Sequence, residues 1–135
     1  CRNVFRHALL CVWSSVGRPW AAHTAAVTIT TTSSTTLPPE TARIGDSGAL
    51  SSATDYGSCA SGDTTVTSRS SARWSLDDIG GTAYFCVNYS YRDASNDPEG
   101  TESDCVEVNP DGSFGTRVRV ELGLPNGFSL VATGG

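Results

Sequence analysis

Acidic side chains concentrate in one stretch of the C-terminal half of the chain. They are Asp93, Asp97, Glu99, Glu102, Asp104, Glu107 and Asp111. Ca²⁺ takes several carboxylate and carbonyl oxygens as ligands, and loops between strands can supply them. We therefore name Asp97, Glu99 and Asp104 as candidate Ca²⁺ ligands and predict no other cofactor. A solvated acidic loop that binds no ion is the alternative interpretation.

A second group of candidate residues follows in the order Asn88-Tyr89-Ser90. This is the acceptor pattern for N-glycosylation, so Asn88 is a candidate glycosylation site in a secreted protein. Tyr89 and Tyr91 stand two residues apart and would share one face of a strand, where they could stack on a sugar ring. Aromatic residues on a strand more often belong to a core, and that interpretation stays open beside the first.

Two short strings resemble protease motifs. Gly45-Asp46-Ser47-Gly48 resembles the nucleophile motif of chymotrypsin-like enzymes, and Ala21-Ala22-His23 resembles their histidine motif. That fold places its histidine and serine far apart in sequence, whereas His23 and Ser47 here are close. Asp46-Ser47-Gly48 also matches the aspartic-protease triplet, but a second triplet is absent from the sequence. We predict no catalytic residues and no enzyme, and a fragment of a secreted hydrolase is the least favoured function.

The chain has five cysteines, which favours an oxidising, extracellular compartment. None is spaced C-x-x-C, so a structural zinc site is not predicted. Cys86 and Cys105 bracket a segment centred on Ser95 and Asn96. If the flanking strands form a hairpin there, the two cysteines face each other, and a disulfide would contribute about 3 kcal/mol. The sequence does not choose partners for Cys1, Cys11 and Cys59.

The charge of the chain bears on its partners. The formal net charge is -5, and all nine basic residues are Arg without a cluster. Nucleic-acid binding needs clustered cations that displace phosphate counterions, so we predict no nucleic-acid partner. Arg117 and Arg119 fall on one face of a predicted strand, where an exposed charged face is the ordinary interpretation.

The first 24 residues differ in composition from the rest. Arg2 and Arg6 precede an apolar run at residues 8–13, and small residues follow at 21–25. This is the order of a secretory signal peptide, and the run is too short for a transmembrane helix. A short buried helix or strand that caps the domain is the equal alternative. We assign residues 1–24 to this signal-like or capping segment and residues 25–135 to one β-domain.

Alternation of apolar and polar residues indicates that the domain is all-β. In residues 117–122 it places Val118, Val120 and Leu122 on one face. In residues 82–91 it places five apolar or aromatic residues on one face, and Tyr84 and Cys86 on the other.

The remaining strands are weaker. Residues 25–32, 64–68, 72–76, 104–108 and 128–132 are predicted as further strands, and turns are predicted at 109–112 and 124–127. Residues 33–41 are predicted as an extended linker or strand edge, and residues 44–61 as a long loop with at most one short strand. Six to seven short strands with frequent turns predict an antiparallel β-sandwich.

The run Trp74-Ser75-Leu76-Asp77-Asp78-Ile79-Gly80-Gly81, with the strand that follows it to Tyr91, resembles the Ig-like repeats of bacterial cell-surface proteins. Those repeats often read tryptophan-x-leucine, an acidic or glycine turn, and then a long strand. The resemblance implies an Ig-like sandwich used as a spacer or adhesive module. The five cysteines and the acidic segment depart from such repeats.

These observations predict a secreted or surface-displayed structural or adhesive module, including a subunit of an extracellular filament. Self-association would use strand exchange, with residues 25–36 as the added strand. The alternative is a module that binds Ca²⁺ or carbohydrate through the acidic segment and the tyrosines.

Overall fold

The computed structural model describes residues 10–11, 29–33, 36–57 and 64–135. Within these ranges the chain forms β-strands and turns and contains no helix. The strands pair antiparallel, in chain order, into one sheet. They are β1 (Leu10–Cys11), β2 (Ile29–Ser33), β3 (Ser47–Tyr56), β4 (Val66–Ile79), β5 (Thr82–Asp93), β6 (Pro98–Val108), β7 (Phe114–Gly123) and β8 (Ser129–Gly134).

The predicted all-β antiparallel fold is confirmed. Among the described residues, the strands contact only their neighbours in the sheet, so no second layer packs on either face. The second sheet of the predicted sandwich is therefore not among these residues. Residues 1–9, 12–28 and 34–35 lie outside the described ranges, so β1 is the described part of the segment predicted at residues 1–24.

The strands are longer than the sequence predicts. The two short strands predicted at 64–68 and 72–76 are one strand, β4, which pairs with β5 from Ser68 opposite Asp93 to Ile79 opposite Thr82. Gly80 and Gly81 close this hairpin with φ angles of 64° and 81°. Both central positions of such a two-residue turn need positive φ, which glycine adopts without steric cost.

Two regions predicted as loops are strands. The sequence predicts a long loop with at most one short strand at residues 44–61, but the ten-residue β3 occupies most of that region and pairs with β4. The acidic segment was predicted as a loop up to residue 103, but β6 begins at Pro98 and pairs with β5 along its length. In both cases hydrogen bonding to a neighbouring strand outweighs the weak strand preference of Ser, Gly, Asp and Glu.

Side chains alternate between the two faces of the sheet, because successive residues of a strand point to opposite sides. One face, which we call the apolar face, carries most of the aliphatic and aromatic side chains of β4–β8. They are Ala72, Trp74, Leu76, Ala83, Phe85, Val87, Tyr89, Tyr91, Val106, Phe114, Val118, Val120, Leu122, Leu130 and Ala132.

The opposite face, which we call the polar face, carries charged, amide and hydroxyl groups. Its main polar members on β4–β7 are Arg69, Arg73, Ser75, Asp77, Asn88, Ser90, Arg92, Thr101, Ser103, Glu107, Arg117, Arg119 and Glu121. Some acidic residues break the pattern because they lie on the apolar face, among them Asp78, Glu102 and Asp104. Cys86 and Cys105 lie on the polar face.

Burial is confined to the middle of the sheet. Among the described residues, the buried apolar side chains are Ala72, Trp74, Cys86 and Cys105, on β4, β5 and β6. Trp74 lies across from Gly48 of β3, and a Cβ at that glycine would stand 2.6 Å from the indole nitrogen of Trp74. The glycine therefore makes room for the largest buried ring.

Candidate functional site

An aromatic cluster forms the centre of the apolar face. The rings of Trp74 and Phe85 lie nearly parallel, with centroids 6.4 Å apart. Phe114 of β7 packs against Phe85 in a tilted arrangement at 6.3 Å. Such aromatic pairs are each worth about 0.5–1.5 kcal/mol beyond the area they bury. These ring contacts connect β4, β5 and β7 across the apolar face.

The apolar face continues from this cluster onto β7 and β8, where its side chains are exposed to solvent. We call this region the outer patch and define it as Phe114, Val118, Leu122 and Leu130. Their exposed fractions are 65%, 47%, 38% and 53%. Contiguous apolar surface of this kind marks sites that bind proteins, membranes or ligands. The outer patch is the first candidate functional surface of the molecule.

A second candidate lies at the other end of β5 on the same face. The rings of Tyr89 and Tyr91 are nearly parallel, with centroids 6.2 Å apart. The Tyr91 hydroxyl donates a hydrogen bond to Oε2 of Glu102 at 2.9 Å. Burial, together with this bond to a negatively charged acceptor, raises the pKa of Tyr91 to about 12. Two aromatic rings with an adjacent carboxylate can contact both the faces and the hydroxyls of a sugar.

A hydrogen-bonded row crosses the polar face. The Ser103 hydroxyl donates to Oδ1 of Asn88 at 2.7 Å, and Nδ2 of Asn88 donates to the Ser75 hydroxyl at 2.9 Å. Ser75 donates in turn to Asp77 at 2.6 Å. The amide nitrogen of Asn88, which a glycan would modify, is thus engaged within the sheet in this fold.

A shallow cavity of about 440 Å³ opens beside this row. Its polar lining includes Arg73, Ser90, Thr101 and Glu121. The sequence alone did not group these residues, because they come from four strands and share a site only once the register is known.

The candidate Ca²⁺ ligands are spread along the chain. Asp97 lies in the turn before β6, and its backbone N–H donates to the carboxylate of Asp93 at 2.8 Å. Glu99 and Asp104 lie on β6, five residues apart, which corresponds to roughly 17 Å along a strand. Among the described residues, no three histidine, cysteine or acidic side chains converge on a position that could hold a metal ion.

The residues of the protease-like strings do not form a described site. Ser47 is the exposed first residue of β3, and the carboxylate of Asp46 accepts a hydrogen bond from the backbone N–H of Arg43 at 2.7 Å. That bond belongs to a turn before the strand. His23 lies outside the described residues.

Cys86 and Cys105 occupy opposite positions of the β5–β6 ladder. Their sulfur atoms are 2.09 Å apart and their Cα atoms 4.0 Å apart, so they form a disulfide. Among the residues whose burial is described, Cys86 is the most buried, with 1% of its surface exposed. Cys1 and Cys59 lie outside the described residues, as does the side chain of Cys11.

In the part of the chain that the structure describes, no helix has the length and apolar character needed to span a membrane. Comparison of the chain with protein-family models, with curated proteins and with solved structures finds no match. The function must therefore be argued from the sheet itself.

Proposed function

We propose that the protein is a secreted or surface-displayed structural module whose sheet assembles with a second layer through the apolar face. The observation that carries this proposal is the outer patch. A sheet with one apolar and one polar face is stable when its apolar face packs on another layer. None of the described residues supplies that layer, and in this proposal a partner surface completes an Ig-like or similar sandwich.

The other features of the chain fit a structural role outside the cell. The disulfide between Cys86 and Cys105 suits an oxidising compartment. The polar face is dense in charged and hydroxyl groups and suits contact with water. A stable sheet with one exposed apolar face suits a spacer, an adhesive module or a filament subunit.

The proposal is tested by sedimentation velocity of the full chain over a range of concentrations. We expect assemblies larger than a dimer. Val118→Asp places a charge in the outer patch, and we expect it to remove those assemblies, because a buried unpaired charge is costly. Thr101→Asp adds the same charge to an exposed position of the polar face and serves as the matched control.

A wild-type chain whose largest assemblies match those of Val118→Asp would contradict assembly through the apolar face. The same conclusion would follow if Val118→Asp and Thr101→Asp behaved alike. Protease treatment of intact cells tests the location, because a surface-displayed module is cleaved while a cytosolic protein is spared.

Carbohydrate binding is a second candidate function, and the paired rings of Tyr89 and Tyr91 with Glu102 favour it. Parallel aromatic rings on a strand can contact the apolar faces of a sugar, and the carboxylate can accept from its hydroxyls. We expect binding on a glycan array to be lost in Tyr89→Ala. Tyr84→Ala removes a tyrosine from the opposite face of the same strand and should keep binding. Equal loss in both variants would reject this site.

A further inference from the structure

The outer edge of the sheet is β8. In the order of the sheet β8 has β7 on one side and no described strand on the other. All six of its residues are exposed. Such an edge presents a row of backbone N–H and C=O groups that can pair with another strand.

Most edge strands carry features that prevent such pairing, and β8 carries none of them. Proteins protect edges with charged side chains, proline or bulges. Each of β3 to β7 contains charged residues, but β8 (Ser-Leu-Val-Ala-Thr-Gly) contains neither a charge nor a proline. Its pairing with β7 is regular from Gly134 to Ser129, without a bulge. The charged residues thus lie on the inner strands, whereas protection of the edge would need them on β8.

The sequence of β8 is complementary to itself when two copies run antiparallel about Val131. Leu130 then faces Ala132 of the second copy on the apolar face, so that a large side chain meets a small one. Ser129 faces Thr133 of the second copy on the polar face, where the two hydroxyls can bond. The apolar faces of the two sheets become continuous, and Leu130 is covered from its open side. Cross-strand pairs of these kinds stabilise antiparallel sheets.

The charges on the neighbouring strand do not oppose this arrangement. Glu121 of β7 lies level with Val131, so the two Glu121 side chains would be three strand spacings apart, about 14 Å. This exceeds the screening length of about 8 Å at physiological ionic strength. Glu121 is also paired with Arg119 at 2.9 Å within its own chain.

We propose that β8 is a homotypic interface at which two copies of this chain pair antiparallel about Val131 into one continuous sheet. The occupant of the edge is a second copy, because a neutral, self-complementary strand meets itself without like-charge contacts. This pairing needs no second layer packed on the apolar face, so it holds or fails independently of the assembly proposed above.

Sedimentation equilibrium of the full chain tests the pairing. The measurement uses the Val118→Asp background, in which assembly through the apolar face is blocked, and we expect a monomer–dimer equilibrium there. Val131→Arg places two like charges directly opposite each other, and we expect it to raise the dissociation constant about tenfold or more. The double variant Leu130→Arg/Ala132→Glu places opposite charges across the interface in this register, and we expect it to dimerise.

Controls keep the result specific. Leu124→Arg adds the same charge to an exposed turn residue outside β8 and should leave the dimer intact. Val118→Asp should also keep the dimer while it removes larger assemblies. Circular dichroism and amide exchange of β5 show that each variant is folded. A second readout is amide exchange of β8, which should slow as the protein concentration rises.

Three results would overturn the proposal. They are a Val118→Asp chain that is monomeric at all concentrations, a dimer that Val131→Arg leaves unchanged, and a β8 exchange rate that does not depend on concentration.

Discussion

The middle and the outer edge of this sheet have similar strand pairing but very different packing. In β4–β6, Trp74 and the cystine of Cys86 and Cys105 are buried. In β8, every residue is exposed, although Leu130 lies on the same apolar face as Trp74. The difference teaches that regular hydrogen bonding places a side chain on a face but does not bury it. Burial in the middle comes from large neighbours and a covalent link, and the edge has neither.

Trp74→Ala gives the largest expected effect. Removing a buried tryptophan costs about 3–5 kcal/mol of the free energy of unfolding, because transfer and cavity terms add. Leu130→Ala, on the same face at the edge, should cost no more than about 0.5 kcal/mol in the monomer. Urea unfolding at low protein concentration measures both. Similar losses for the two variants would show that the edge is as well covered as the middle.

The disulfide comes next in size. Cys86→Ala/Cys105→Ala should lower the free energy of unfolding by about 3 kcal/mol, because the link closes a loop with a sequence separation of 19. The control is Ser90→Ala/Thr101→Ala, a facing pair of the same ladder without a covalent link. If both double variants lost the same free energy of unfolding, the disulfide would not explain why the middle of the sheet is more stable than its edge.

Gly48→Ala tests how tightly the middle is packed. The new Cβ would meet the buried indole of Trp74, so we expect a loss of about 1–3 kcal/mol. Gly115→Ala brings a Cβ equally close to the carboxylate of Glu107 and to 2.8 Å from its Cγ, so this flexible side chain has to change rotamer. We expect a clearly smaller loss there, measured by thermal unfolding. Equal losses would mean that the indole can move as freely as the carboxylate.

The smallest expected effect is a pH dependence at Tyr91. Its pKa is about 12 in the folded state, above the ordinary value of 10.0. Above pH 10 the unfolded chain releases this proton while the folded chain retains it, so the stabilisation present below pH 10 is lost as the pH rises towards 12. Tyr91→Phe should show a shallower decline in the free energy of unfolding between pH 9.5 and about 11.5. Parallel curves for wild type and variant would contradict the raised pKa of Tyr91, which comes from burial and from the bond to Glu102.

The sequence predicted the strands in which apolar alternation is strong and the turns in which Pro, Asn and Gly occur. Thus β5 and β7 and the turns at 109–112 and 124–127 lie where they were expected. The alternation also correctly placed Cys86 on the face of the strand opposite to the face that carries Phe85 and Val87. These features depend on local residue order, which a single sequence carries.

What the sequence could not predict depends on contacts between strands. The Ser-rich β3 forms because it hydrogen-bonds to β4 and because Gly48 leaves space for the Trp74 ring. The row of Ser75, Asn88 and Ser103 exists only in the observed register. The prediction of residues 25–36 as an exchanged strand stays untested, although β2 from that region pairs with β3 of its own chain.

Amide hydrogen exchange, measured by NMR on the monomer at low concentration, tests the contrast between middle and edge most directly. We predict the slowest exchange in β5 next to Cys86 and Phe85, and the fastest strand exchange in β8. Protection in β8 equal to that in β5 at this concentration would contradict an open edge and show that another part of the chain covers it.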